Sequence, residues 1–392
     1  MKRLRVLSLS TLYPNDLTPN FGVFVERQMQ AVAMRGEVDL VMVNPLGLPP
    51  FPLSLHPRYR ALRGVAASEQ RGGVAVLRPR FTLLPGTGGR FNAAAEARAV
   101  LPLARRLHAE QPFDLVDAQF FYPDGPAAVR IAQTLGLPVS IKARGADVHH
   151  WGHAPGTAGQ VRDAAQAAAG LLAVAGGLAD DLAALGVDRG KITVHHTGLD
   201  QQMFRPLGRA ECRAKLCLPL DRPVLACVGA LIPRKGQRFA IESLELLPDA
   251  VLVLAGCGPD EAALRAQAAA LGLAERVHFL GTVPHAELPV VLSAADVFVL
   301  PTASEGLANA WVEALACGTP VVTTPIPGAV ELLTDPAWGK LVPPDKLSVA
   351  TAISQVLDNP PPREAVAAGA AQFSWEANAA ALVAYWRRLA GR

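Results

Sequence analysis

Two carboxylates stand out because they bracket a place where the chain turns from strand to helix. Glu305 and Glu313 lie within the segment from Leu300 to Val322, where a buried strand is expected to end near Pro301 and a loop to carry Glu305 and Gly306. A helix is then expected from about Asn309 to Ala316, closed by Gly318 and Pro320. The amides of Gly306, Leu307, Ala308, Asn309 and Ala310 have no intrahelical acceptor at such a start. They lie at the positive end of the helix dipole, an anion site suited to a diphosphate. The two glutamates are eight residues apart, about 12 Å if fully helical. That length is comparable to the gap between the sugar and the ribose of a nucleotide sugar, so the pair could grip hydroxyls on either side of one diphosphate. The bland alternative is a surface loop residue at 305 and a helix-face charge at 313, but no other obvious reason places an acid among Trp311, Val312, Ala314 and Leu315.

The second candidate is Cys227-Val-Gly-Ala-Leu-Ile-Pro-Arg-Lys-Gly-Gln237, a strand running into a loop with two adjacent cations, Arg234 and Lys235, and then a helix. Lysine is a compact point charge that can neutralise a diphosphate as it becomes a leaving group. Taken alone, the pair also reads as a solvated loop. Other turns follow strands in the same way. Gly22 sits in the loop Leu12 to Val25, and Arg144, Asp147, His149 and His150 sit in Ile141-Lys-Ala-Arg-Gly-Ala-Asp-Val-His-His150. Leu254 to Pro259 is a tight turn, with only a weak dinucleotide signal in its Gly-Cys-Gly.

Such groups need a scaffold that delivers them at strand ends. The chain has 392 residues, about two domains' worth, with 51% hydrophobic and only 18% charged residues, which excludes intrinsic disorder. Short β-branched runs alternate with helical stretches, the pattern of parallel sheets with helices on both faces. Strands are expected at Arg5–Ser10, Val38–Asn44, Val74–Arg80, Asp114–Gln119, Pro138–Ala143, Gly170–Ala175 and Ile192–His196. A second set is expected at Val224–Gly229, Val251–Gly256, Val277–Gly281, Val297–Pro301, Pro320–Thr324 and Gly339–Val342. The polar segment Thr197 to Pro206 interrupts the alternation and suits a hinge. The expected organisation is a doubly wound α/β domain over residues 1–200, a second over 201–373, and a helix over 374–392 that packs back toward the first. Ligands in such folds bind at the carboxyl ends of the strands, here in a cleft between two domains.

These motifs resemble those of the family 4 retaining glycosyltransferases, which have the GT-B fold of two facing Rossmann-like domains. The Glu305 to Glu313 spacing matches the family's E-x7-E signature, and the resemblance implies that Glu305 contacts sugar hydroxyls and Glu313 the ribose diol. Gly229 to Gly236 is similar to its G-R-x-x-P-x-K-G loop, which gives Lys235 the donor diphosphate. Ala230 stands where the family has Arg, so Arg234 is the substitute cation. Val277 to His285 resembles the strand and loop whose backbone, near Val283, reads the nucleobase. Gly328 falls where the family has a Gly pair, Pro327 replacing one member. In the first domain, Gly22 matches a glycine that lets backbone approach the donor phosphate. Asp147 matches the acid of a His-Gly-x-Asp segment, with Arg144 in place of His. Arg144 and His149 are thereby acceptor-side candidates. Thr197-Gly-Leu-Asp200 is similar to the family's Asn-Gly-Val-Asp. The likeness is strong from about 224 to 331 and absent at 46 to 110, the region expected to face the acceptor.

The resemblance implies transfer of a hexose from a UDP- or GDP-sugar to a glycan or lipid-linked acceptor, with retention and front-face attack. No metal and no other cofactor are expected, because no DxD motif is present to hold Mg²⁺ across a diphosphate. A GT-B nucleotide-sugar epimerase, a non-catalytic sugar-nucleotide-binding protein and an oxidoreductase are the alternatives. The last is disfavoured because no G-x-G-x-x-G with a following acid is found. Residues 50–110 carry ten arginines against Glu69, Glu96 and Glu110, an excess that could meet an anionic lipid surface. No nucleic-acid partner is expected. No apolar run reaches the roughly 18 residues of a membrane span. The start of the chain reads as a strand rather than a signal peptide, so the cytosol is expected, with peripheral contact at the inner membrane face. Five cysteines without CxxC spacing indicate neither disulfides nor zinc.

Overall fold

The computed structural model describes residues 3–19 and 21–392. The chain forms two compact units, Met1–Gly198 with Trp375–Arg392, and Leu199–Ser374.

The first unit is built on strands β1 (Leu4–Leu9), β2 (Val38–Val43), β3 (Leu46–Leu48), β4 (Ser68–Arg71), β5 (Val74–Leu77), β6 (Arg80–Thr82), β7 (Leu115–Ala118), β8 (Val139–Ala143), β9 (Gly170–Ala173) and β10 (Ile192–Val194). Eight of them make one sheet in the order β10-β9-β8-β7-β1-β2-β5-β4. All of its pairings are parallel except β4 with β5. The inner strands are rich in Val, Leu and Ile because parallel strands are covered on both faces. On one face Leu7, Leu9, Val116 and Ile141 pack with Ala97, Val100 and Ala128 of flanking helices. On the other, Leu4 and Val6 pack with Met29 and Val32 of the helix Val23–Met34, and with Leu382, Val383, Tyr385 and Trp386 of the helix Trp375–Leu389. Trp386 is fully buried, and its indole N–H donates to Asp117 Oδ1 at 3.1 Å. Burying a side chain of that size is worth about 3 kcal/mol.

Three strands lie outside the apolar pattern. β4, with the sequence Ser-Glu-Gln-Arg, has no apolar residue and sits at the sheet edge, paired to β5 across Gly72 and Gly73. β3 and β6 are three residues each and, among the described residues, pair only with one another. The run expected as one strand from Val74 to Arg80 is therefore two, parted at Pro79, which has no amide to donate.

The basic stretch is also less open than its composition implies. Arg78 is buried, donating to Asn44 Oδ1 at 3.1 Å, to the Pro14 carbonyl at 3.0 Å and to Glu69 at 2.5 Å. Arg71 pairs with Glu26 at 2.7 Å. Glu96, counted against the arginines, is buried beside Asp124, and burial and that neighbour push its pKa well above the carboxylate range. Being buried, it is not part of the exposed surface.

The second unit holds β11 (Val224–Val228), β12 (Val251–Ala255), β13 (Val277–Gly281), β14 (Val297–Leu300), β15 (Val321–Thr323) and β16 (Gly339–Leu341). Its order is β13-β12-β11-β14-β15-β16, parallel throughout. This is the doubly wound arrangement in which the strand order reverses between the first and fourth strands. The loops leaving β11 and β14 flank that reversal and carry the candidates Arg234, Lys235, Glu305 and Gly306. Among the described residues no helix is long and apolar enough to cross a membrane.

Candidate active site

The loop after β11 tightens into a 3₁₀ turn at Pro233–Lys235, then enters the helix Gln237–Ser243 through Gly236. The loop after β14 is laced to it by backbone. The Arg234 carbonyl accepts from Ala303 N at 2.7 Å and from the Thr302 hydroxyl at 3.0 Å. This lacing brings Glu305 onto both cations. Its Oε1 lies 2.5 Å from Lys235 Nζ and 2.7 Å from Arg234 Nη1, and Arg234 also donates to the Ser304 carbonyl at 2.7 Å. Lys235 and Glu305 are largely buried, whereas Arg234 is more open. Three charges gathered at a sheet's reversal point form a corner of net positive charge, with the carboxylate as internal counter-charge.

The helix Asn309–Ala316 starts beside this corner. Its N-cap is Ala308, which offers no side-chain acceptor, and its first turn has no acid. A helix start left uncapped by side chains is free to use its amides on an anion. Gly306 is held against Gly328, where a Cβ would fall 1.8 Å from the Gly306 carbonyl oxygen. That close approach is why position 328 cannot carry a side chain. Glu305 precedes the helix, so its separation from Glu313 is not that of one continuous helix.

Glu313 stands in the second turn among buried Val312, Ala314 and Leu315. Its Oε1 lies 2.9 Å from His285 Nε2. His285 opens the turn His285–Glu287 that follows β13, two residues past half-buried Val283. The pairing joins positions 28 apart and has no local sequence signature, so sequence reasoning placed His285 only at the end of a segment.

The remaining candidates lie in the first unit. Gly22 precedes the helix Val23–Met34 with φ +77°, and a Cβ there would sit 2.5 Å from the Leu12 carbonyl. Glycine is therefore required by the loop's own path. Arg144 Nε donates to the Gln119 carbonyl at 2.6 Å, and Nη2 to Gln119 Oε1 at 2.6 Å and Gln28 Oε1 at 2.8 Å. Burial lowers its pKa to about 10, which leaves it charged at neutral pH. Asp147, expected as a catalytic acid, is fully buried. Its carboxylate accepts from the amides of Phe121 at 2.8 Å, Gly145 at 2.7 Å and Arg144 at 3.0 and 3.1 Å. It staples the loops after β7 and β8 and positions Arg144. His149 Nε2 lies 2.9 Å from Asp181 Oδ2.

Sequence reasoning missed a buried chain beneath Arg144. Lys142 Nζ lies 2.6 Å from His195 Nδ1, and His195 Nε2 lies 3.0 Å from the Asn378 carbonyl. The Asn378 side chain accepts from Gln28 Nε2 at 2.7 Å and donates to the His196 carbonyl at 2.6 Å. Burial drives the Lys142 pKa well down and that of His195 to about 2, so burial favours the neutral forms at this contact.

Two Rossmann-like units, one with a cation pair and an uncapped helix at its reversal point, define a protein of the GT-B glycosyltransferase class. The family model Glycosyltransferase Family 4 matches residues 59–202 and Glycosyl transferases group 1 matches 208–373, together most of the chain. The chain belongs to the family 4 glycosyltransferases and is a transferase. It is 29% identical over 363 residues to TuaC of Bacillus subtilis, a protein named for teichuronic acid biosynthesis, covering 90% of this chain and 89% of that one. It is 38% identical to the D-inositol 3-phosphate glycosyltransferase of Mycobacterium leprae over 217 residues, 52% of this chain and 50% of the relative. Among solved structures, the sucrose-phosphate synthase of Thermosynechococcus elongatus aligns with a TM-score of 0.80 at 21% identity, covering 99% of each chain. Anabaena HepE in complex with UDP and glucose aligns with a TM-score of 0.69 at 20% identity, covering 98% of each. Both likenesses are of fold.

Proposed function

We propose that this enzyme transfers a hexose from a UDP- or GDP-sugar to a glycan or lipid-linked acceptor, with retention at the anomeric carbon and without a metal. The observation that carries this reading is the meeting of Lys235, Arg234 and Glu305 at the reversal point of the second sheet. As the glycosidic bond to phosphate lengthens, negative charge grows on the diphosphate. The Lys235 ammonium, with Arg234 in place of the cation that Ala230 lacks, stabilises that charge where it develops, as do the amides of Gly306, Leu307, Ala308 and Asn309. Glu305 pairs with both cations and cancels one of their two charges. An incoming diphosphate takes over that task and leaves the carboxylate to accept from sugar hydroxyls. Glu313 accepts from the ribose diol, and backbone near Val283 reads the base. In the first unit, Gly22 serves the donor phosphate, and Arg144 and His149 serve the acceptor. Attack is front-face, with no covalent glycosyl-enzyme.

A panel of UDP- and GDP-sugars screened by thermal shift tests the reading, since a ligand at about 100 times its Kd stabilises the native state by about 2.7 kcal/mol. One nucleotide series is expected to raise the melting temperature by a few degrees. No shift with any donor overturns the proposal. So does NMR of a donor incubated alone if it shows an epimerised sugar, because that identifies an epimerase.

The name of TuaC, which refers to teichuronic acid biosynthesis, supports an acceptor in cell-surface polysaccharide synthesis. Phe51, Leu53 and Leu55 are exposed, Phe51 at 79%, beside the helix Pro57–Arg63 with exposed Arg60 and Arg63. Apolar side chains next to cations suit an anionic lipid surface. Co-sedimentation is expected with acidic vesicles and not with neutral ones; equal pelleting with both rejects the contact.

A further inference from the structure

The geometry points to His285 as the positioning residue that fixes the Glu313 carboxylate and thereby sets the preference for a ribonucleoside diphosphate over its 2′-deoxy counterpart. This inference rests on the reading of Glu313 as the acceptor for the ribose diol.

Glu313 needs a partner because it sits on a largely apolar helix with its side chain only 10% exposed. A carboxylate at that depth without a hydrogen bond is costly. Its partner is His285, 2.9 Å away. A carboxylate only accepts, so His285 Nε2 carries the hydrogen. With Oε1 held, Oε2 is the oxygen left for the diol.

The imidazole is fixed from its other side. Its ring lies 5.0 Å from that of Phe204, tilted by 56°, and Phe204 is itself 2% exposed. His285 Nδ1 is buried and has no protein partner. Buried polar atoms are usually paired, so an orientation that leaves one ring nitrogen unpaired to keep the other on Glu313 calls for an explanation. Orienting a functional carboxylate supplies one. A carboxylate already ordered by its own histidine does not have to be immobilised when the nucleotide arrives, and that cost is otherwise paid out of affinity.

The test compares Kd by calorimetry for UDP against 2′-deoxy-UDP, and GDP against 2′-deoxy-GDP, in wild type, Glu313→Ala, His285→Leu, His285→Gln and the double variant Glu313→Ala with His285→Leu. Glu313→Ala is expected to abolish the ribose preference. His285→Leu is expected to reduce it about three- to tenfold, the range for one newly mobile side chain, with little change in affinity for the deoxy nucleotides. His285→Gln, whose amide can donate to the same oxygen, restores the preference, and the double variant matches Glu313→Ala alone. In turnover, His285→Leu raises the donor KM and leaves kcat in place. If Glu313→Ala leaves the preference intact, the reading of Glu313 fails and takes the inference with it. If Glu313→Ala abolishes the preference but His285→Leu keeps it, or His285→Gln is as poor as His285→Leu, the reading of Glu313 stands and the role of His285 is overturned.

Discussion

Replacing Lys235 with alanine is expected to lower turnover by about 10² to 10³-fold at saturating donor, the range for losing one charged stabiliser of a developing anion. The expectation follows from where Lys235 sits. Its side chain is 14% exposed, at a sheet's reversal point, and its counter-charge is Glu305. In that environment a point charge is less screened than on an open surface. Arg234 is more open, at 43%, and is tied to Glu305 and the Ser304 carbonyl, so Arg234→Ala is expected to cost less. The measurement is kcat with the donor found by thermal shift. Activity of Lys235→Ala near that of wild type removes Lys235 from the mechanism.

The second large effect is expected at Asp147. Replacing it with alanine leaves the amides of Phe121, Arg144 and Gly145 without their acceptor inside the first unit. Each buried donor left unpaired costs about 1–3 kcal/mol, so the local loss for three is about 3–9 kcal/mol. A chain of two units need not unfold as one, which makes a global melting curve a poor gauge. Hydrogen exchange at the Arg144 and Gly145 amides is the direct reading, and at least 10²-fold faster exchange is expected from that local loss. Unchanged protection at both amides refutes the staple. Turnover is expected to fall along with it, because the same turn holds Arg144 against Gln28 and Gln119.

Most of the fold could be read from the chain because central parallel strands are buried on both faces and so appear as uninterrupted apolar runs. Val224–Val228, Val251–Ala255 and Val297–Leu300 are of this kind, and all three are wholly buried. β4 was not legible for the converse reason: an edge strand with one neighbour has no need of apolar residues. At the site, local chemistry picked out Lys235, Glu305 and Glu313, since a cation after one strand and acids around a helix start leave a mark in sequence. Their contacts left none. That Glu305 meets both cations depends on how the loops after β11 and β14 are laced, and that Glu313 meets His285 depends on β13 lying two strands from β11. Asp147 was marked by the family resemblance alone, and the amides of Phe121, Arg144 and Gly145 that hold its carboxylate likewise left no mark in sequence.

The helix Trp375–Leu389 belongs to the first unit although the whole second unit separates it in sequence from Gly198. A ribosome therefore delivers the two units in an order that differs from the order in which they can be completed. While the nascent chain is short, Val6, Met29 and Val32 lack Leu382 and Trp386 as their cover. The second unit has emerged entire before that cover arrives. The amino-terminal half must thus wait with an open apolar face, and a fragment ending near residue 198 would carry that open face permanently.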